Sequence, residues 1–121
     1  MNQRVLIVED EPNIASALKF LLDHAGFDVE VESDGAEALG RIRNGGADVI
    51  ILDVMLPNRS GFDILKDLRA GGQPDLPVLM LTAKGQAQDR RTAEDLGVTA
   101  FMTKPFSNAE VIETVRRLAE A

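Results

Sequence analysis

Val49-Ile50-Ile51-Leu52 runs apolar without a break and stops at Asp53. Such a run is too short for a helix and reads as a strand covered on both faces. Val5-Leu6-Ile7-Val8 and Val78-Leu79-Met80-Leu81 repeat the pattern. Asp28-Val29-Glu30-Val31-Glu32 alternates instead, with valines on one face and carboxylates on the other, as an edge strand does. Ala100-Phe101-Met102-Thr103 is short and mixed, which suits the opposite edge.

Helical patterns separate these runs. Ile14, Leu18, Leu21, Leu22 and Ala25 form one apolar stripe, and Gly26 supplies a stop. Asp34 with Glu37, Ser60 with Asp63 and Ser107 with Glu110 have the spacing of N-terminal capping boxes. The last helix continues through Val111, Val115 and Leu118, and Pro12, Pro57 and Pro77 sit at element boundaries. The helix around Gln86–Leu96 has only Ala93 and Leu96 as its apolar stripe. It is predicted to be the least firmly docked helix and, with the fifth strand, the surface that rearranges. Strands alternating with helices predict an α/β fold: (βα)5, a doubly wound parallel five-stranded sheet in the flavodoxin-like order 2-1-3-4-5.

The 121 residues suffice for one domain, expected to span 1–121, and 45% apolar content is that of a folded chain. A net charge of −7, with no Trp or Tyr, argues against direct nucleic-acid binding, since it repels phosphate and offers little stacking. The absence of cysteine excludes disulfides and thiolate sites. No apolar run reaches the roughly 18 residues of a membrane span, and no targeting segment is visible, so a cytoplasmic protein is expected.

In doubly wound sheets ligands bind beyond the carboxyl ends of the strands, at the switch point between strands one and three. Those ends carry Glu9-Asp10-Glu11, Asp53, Thr82-Ala83 and Thr103-Lys104-Pro105. Glu9, Asp10 and Asp53 against Lys104 leave a formal −2, which a divalent cation would offset. All-oxygen ligands favour Mg2+ over zinc. Beside such a cation, Asp53 can attack phosphorus as a carboxylate nucleophile, with Lys104 and the Thr82 hydroxyl contacting phosphoryl oxygens.

Glu9-Asp10-Glu11, Leu52-Asp53-Val54-Met55-Leu56-Pro57, Leu81-Thr82-Ala83 and Lys104-Pro105-Phe106 together resemble the motifs of two-component response-regulator receiver domains (CheY-like). The resemblance covers nearly the whole chain, and four motifs in the right order make it specific. It implies Asp53 as phosphoacceptor and Asp10 as a direct Mg2+ ligand. Glu9 would act on the metal through water, and the Met55 backbone carbonyl would be a further ligand. It further implies a cis Lys104–Pro105 bond and a switch pair of Thr82 and Phe101, the ring turning inward as the hydroxyl approaches the phosphoryl group. The donor would be a sensor histidine kinase or phosphotransfer protein, consistent with the lack of a G-x-x-x-x-G-K-[ST] loop for ATP. The face of the fourth helix, fifth strand and fifth helix would control an output domain or partner. Position 101 is Phe where many receivers carry Tyr, so it offers no hydroxyl. A phosphorylation-dependent homodimer is among the assemblies implied. Val98-Thr99-Ala100, however, lacks the paired aspartates that join receivers in the DNA-binding branch.

Blander roles exist for each residue. Asp53 could be a turn aspartate, Glu9 and Asp10 could cap the first helix, Lys104 could be a solvated loop lysine, and Phe101 a half-buried core ring. His24, near a helix C-terminus, reads as a surface residue, and Gly45-Gly46 and Gly71-Gly72 as loop glycines. Two competing functions share the fold. A Mg2+-dependent aspartyl-phosphate phosphatase of the haloacid-dehalogenase type would need a second acid where Met55 stands. A constitutive binding module would leave the acidic site unused. The expectation is a phosphoacceptor, not a turnover enzyme.

Overall fold

The computed structural model describes residues 2–71, 73–83 and 87–120. Five strands and five helices alternate through them: β1 Arg4–Val8, α1 Pro12–His24, β2 Asp28–Glu32, α2 Gly35–Gly45, β3 Val49–Asp53, α3 Gly61–Ala70, β4 Val78–Ala83, α4 Ala87–Asp95, β5 Ala100–Lys104 and α5 Asn108–Glu120. All strand pairs are parallel, in the order β2-β1-β3-β4-β5. This is the predicted flavodoxin-like arrangement. Gln86, the expected start of the fourth helix, and Gly72 lie outside the described residues.

The continuous apolar runs are explained by burial on two sides. Val5, Ile7, Val49, Ile51, Leu79 and Leu81 face one layer, where Leu18 and Leu22 of α1 meet Val111, Val115 and Leu118 of α5. The alternate residues Leu6, Val8, Ile50, Leu52, Val78 and Met80 face the other, against Ala38, Ile42, Ile64, Leu65, Leu68 and Ala93. Each of these three strands therefore contributes apolar area to both cores. Ala93 is the only buried residue of α4 among those described, as its thin stripe predicts.

The outer strand β2 behaves differently. Val29 and Val31 pack on the α1/α5 core, while Glu30 and Glu32 pair with Arg41 of α2 at 2.5 and 3.3 Å. The backbone of β2 bonds β1 through even-numbered residues, as in Asp28 N–H to Gln3 O and Glu9 N–H to Glu32 O. The odd carbonyls face outward. Lys19 of α1 donates to Val29 O at 3.1 Å, and Arg41 donates to Val31 O at 3.0 Å.

Helix starts follow the sequence in most details. Ser60 accepts the Asp63 N–H and Ser107 accepts the Glu110 N–H, the serine arm of the expected capping boxes. Asp34 caps α2 through Ala36 N–H, but its own N–H donates to Glu32, not to Glu37. The neighbouring strand thus supplies the return arm of that box. Asn58 also donates to Asp34 at 2.9 Å, and these hydrogen bonds hold the Asp34 carboxyl below its ordinary value. Among the described residues no helix is long and apolar enough to cross a membrane.

Candidate functional site

Parallel pairing brings the carboxyl ends of the strands to one side of the sheet. Glu9 and Asp10 follow directly on β1, Asp53 ends β3, Thr82 lies near the end of β4, and Lys104 ends β5. Asp53 stands in register with Leu81, and Ala83 with Lys104. Glu11 caps α1, accepting from Asn13 N–H at 3.4 Å, and Pro12 opens the helix. The helix is therefore capped without Glu9 or Asp10.

Carboxylate oxygens of Glu9, Asp10 and Asp53 all lie within 4.8 Å of one another. Glu9 is 1% exposed and Asp53 4%, while Asp10 is open to solvent. Lys104 donates to Glu9 Oε1 at 2.9 Å and pairs with Asp53 Oδ2 at 3.3 Å. One ammonium cannot balance three acids. Burial, together with the hydrogen bond and charge of Asp53, pushes the Glu9 carboxyl up to about 8 despite Lys104. Burial pulls the Lys104 ammonium down, but Glu9 and Asp53 outweigh it and raise its pKa. The two shifts pull the Glu9–Lys104 pair in opposite senses. The direction that follows from this geometry is a charged Lys104 beside a Glu9 carboxyl that keeps its proton well above the usual carboxylate range. Glu9 Oε2 is buried without a hydrogen-bond partner. An orphaned acceptor amid clustered acids fits a hard cation with oxygen ligands.

Other predicted residues are placed less simply. Met55 lies in the β3–α3 loop and is 75% exposed. The Lys104–Pro105 peptide is cis. Phe101 is half-buried on β5, with the guanidinium of Arg90 at 5.4 Å from its ring centroid. Thr82 is 1% exposed, and its hydroxyl is not turned to the acids: it donates to Asp89 Oδ2 of α4 at 2.7 Å. His24 is exposed, its ring against Phe20 at 4.2 Å.

Residues that the sequence reading did not single out also shape the site. A Cβ on Gly61 would fall on the carbonyl oxygen of Asp53, so α3 can start this close only with glycine there. Gly61 N–H donates to Val54 O at 2.9 Å, fixing the turn after Asp53. A serine cap followed by glycine was the available signal. Asp89 and Arg90 gave none, since a charged, sparsely apolar helix start reads as a solvated face.

The sequence model for "Response regulator receiver domain" matches residues 5–116. The chain belongs to that family. The sensory transduction protein RegX3 of Mycolicibacterium smegmatis is 44% identical over 112 residues, 93% of this chain and 48% of that protein. The alkaline phosphatase synthesis transcriptional regulatory protein PhoP of Bacillus subtilis is 42% identical over 120 residues, 98% of this chain and 49% of that one. The receiver domain thus spans about half the length of the curated relatives it matches. Among solved structures, the receiver domain of a Pseudomonas aeruginosa sensor histidine kinase matches over 100% of both chains, with a TM-score of 0.91 and 27% identity. That structure has a magnesium ion coordinated in its active site cleft.

Proposed function

We propose that this receiver domain accepts a phosphoryl group on Asp53 from a phosphohistidine of a sensor kinase or phosphotransfer protein, with Mg2+ bound among Glu9, Asp10 and Asp53. The observation that carries the reading is the cluster itself: three acids within reach of one another, the two buried ones joined by one lysine. Such a cluster is costly unless positive charge enters, since like charges at about 4 Å repel by roughly 4 kcal/mol at an effective dielectric near 20. The receiver structure with magnesium in its cleft supports the choice of ion. The Met55 carbonyl is the further ligand proposed.

An Asp53 carboxylate oxygen attacks phosphorus, the phosphorus–nitrogen bond of the donor breaks, and the imidazole takes up a proton as it leaves. Bound Mg2+ would neutralise charge on the phosphoryl oxygens. Lys104, already 3.3 Å from Asp53, holds an ammonium where a phosphoryl oxygen would arrive. Thr82 supplies a hydroxyl from the next strand. Met55, with no carboxyl, offers no acid for leaving-group protonation, which favours a persistent adduct over phosphatase turnover. The adduct then alters the α4–β5–α5 face, which acts on an output domain or partner, and the transcriptional relatives support an output in gene regulation. The chain is proposed to work in the cytoplasm.

The test is intact-mass measurement after incubation with acetyl phosphate and Mg2+. The wild-type chain gains one phosphoryl group, and Asp53→Asn gains none. A gain that persists in Asp53→Asn removes Asp53 as the acceptor.

A further inference from the structure

We propose that the first turn of α4 locks the switch pair in the unphosphorylated state, with Asp89 as the positioning residue that withholds the Thr82 hydroxyl. The inference rests on the phosphoacceptor reading above and concerns how that site is held off.

A threonine hydroxyl has one proton to donate. Here it is committed to Asp89 Oδ2 at 2.7 Å. A phosphoryl group on Asp53 presents only acceptor oxygens there, so contact with Thr82 requires the same proton. The two bonds exclude one another. Thr82 is almost fully buried, which leaves little room for water to substitute while the hydroxyl turns. The acceptor is a carboxylate in the first turn of a helix, where the positive end of the peptide dipoles favours it.

The second member of the pair is held from the adjacent residue. Arg90 covers the Phe101 ring, and turning that ring inward forfeits the contact. Neighbouring residues of one helical turn therefore grip Thr82 on β4 and Phe101 on β5. Beyond them, Ala93 is the only buried residue of α4 among those described. With so little else fastening the helix, breaking the Thr82–Asp89 bond loosens the element that also covers Phe101. Chemistry at Asp53 and movement at the α4–β5 face become one event, as a two-state element requires.

The lock makes a prediction opposite in sign to a merely structural role. Asp89→Ala removes a competitor for the hydroxyl, so the chain binds a phosphoryl analogue more tightly. One hydrogen bond of ordinary net strength corresponds to a gain of about threefold to tenfold. Beryllofluoride is titrated into the 121-residue chain in excess Mg2+, with heat as the signal because the chain has no Trp. Asp89→Asn keeps an acceptor oxygen and falls between wild type and Asp89→Ala. In a Thr82→Ala background the Asp89→Ala gain disappears, because no hydroxyl remains to withhold. A gain that persists there is Coulombic relief and overturns the lock. Unchanged or weaker binding by Asp89→Ala and Asp89→Asn, with wild type binding normally, also overturns the lock and leaves the phosphoacceptor reading intact. If wild type itself does not bind beryllofluoride, both fall.

Discussion

In the metal-free chain, stability should fall as pH rises from about 5 to 8, and Glu9→Gln should abolish that fall. The folded Glu9 carboxyl holds its proton to about 8, against 4.5 for the ordinary group. Between those values the folded state binds more protons than the unfolded one, so the free energy of unfolding declines with pH. The contribution is complete below 4.5, where both states are protonated, and is lost once pH passes about 8. At about 1.4 kcal/mol per pH unit the whole span has a ceiling near 5 kcal/mol. Two pH units inside the window should cost roughly 2–3 kcal/mol. The other shifted carboxyl, Asp34, lies below 3.8, and the raised Lys104 lies above 10.5, so neither titrates in the window. Urea unfolding at several pH values in the presence of EDTA reads the slope directly. Glu9→Gln keeps an amide oxygen for Lys104 but has nothing to titrate. Mg2+ in excess competes with the proton and should flatten the wild-type profile. A wild-type slope equal to that of Glu9→Gln would refute the assignment of a buried, proton-holding Glu9.

Gly61→Ala should destabilise the fold by about 1–3 kcal/mol and slow modification of Asp53, because its Cβ lands on the Asp53 carbonyl. Urea midpoints and acetyl-phosphate labelling measure the two effects, and a neutral result in both would remove Gly61 from the site's framework. Arg69→Ala should cost roughly 2–4 kcal/mol, since Arg69 donates to the carbonyls of Leu76 at 2.8 Å, Gly97 at 2.9 Å and Gln73 at 3.2 Å. Arg69→Lys should recover less than half of that loss, because an ammonium cannot reproduce the guanidinium fork.

The parts of the molecule legible in the sequence are those governed by period and spacing. Val49–Leu52 and its counterparts lie between two layers, as short unbroken apolar runs between helical patterns do. Topology then carried Glu9, Asp10, Asp53 and Lys104 to one end of the sheet. Long-range pairings were not legible. Nothing local foretold that Glu32, across a turn, would take the Asp34 N–H in place of Glu37. Thr82 could be assigned a hydroxyl role from its position, but its partner depends on how α4 lies over β4. Arg69 reads as a surface arginine in a helix, and only folding brings the residue 73–76 loop and Gly97 to its fork. The unbalanced charge of the acids was visible in the sequence; the raised pKa of Glu9 among them was not.

The two outward carbonyls of β2 are already taken, one by Lys19 of α1 and the other by Arg41 of α2. A visiting strand would find those rungs filled and would have to evict both cations while facing the carboxylates of Glu30 and Glu32. Continuation of the sheet from one molecule into another is thereby discouraged at this margin. If two copies come together, they do not meet through a shared ribbon along β2.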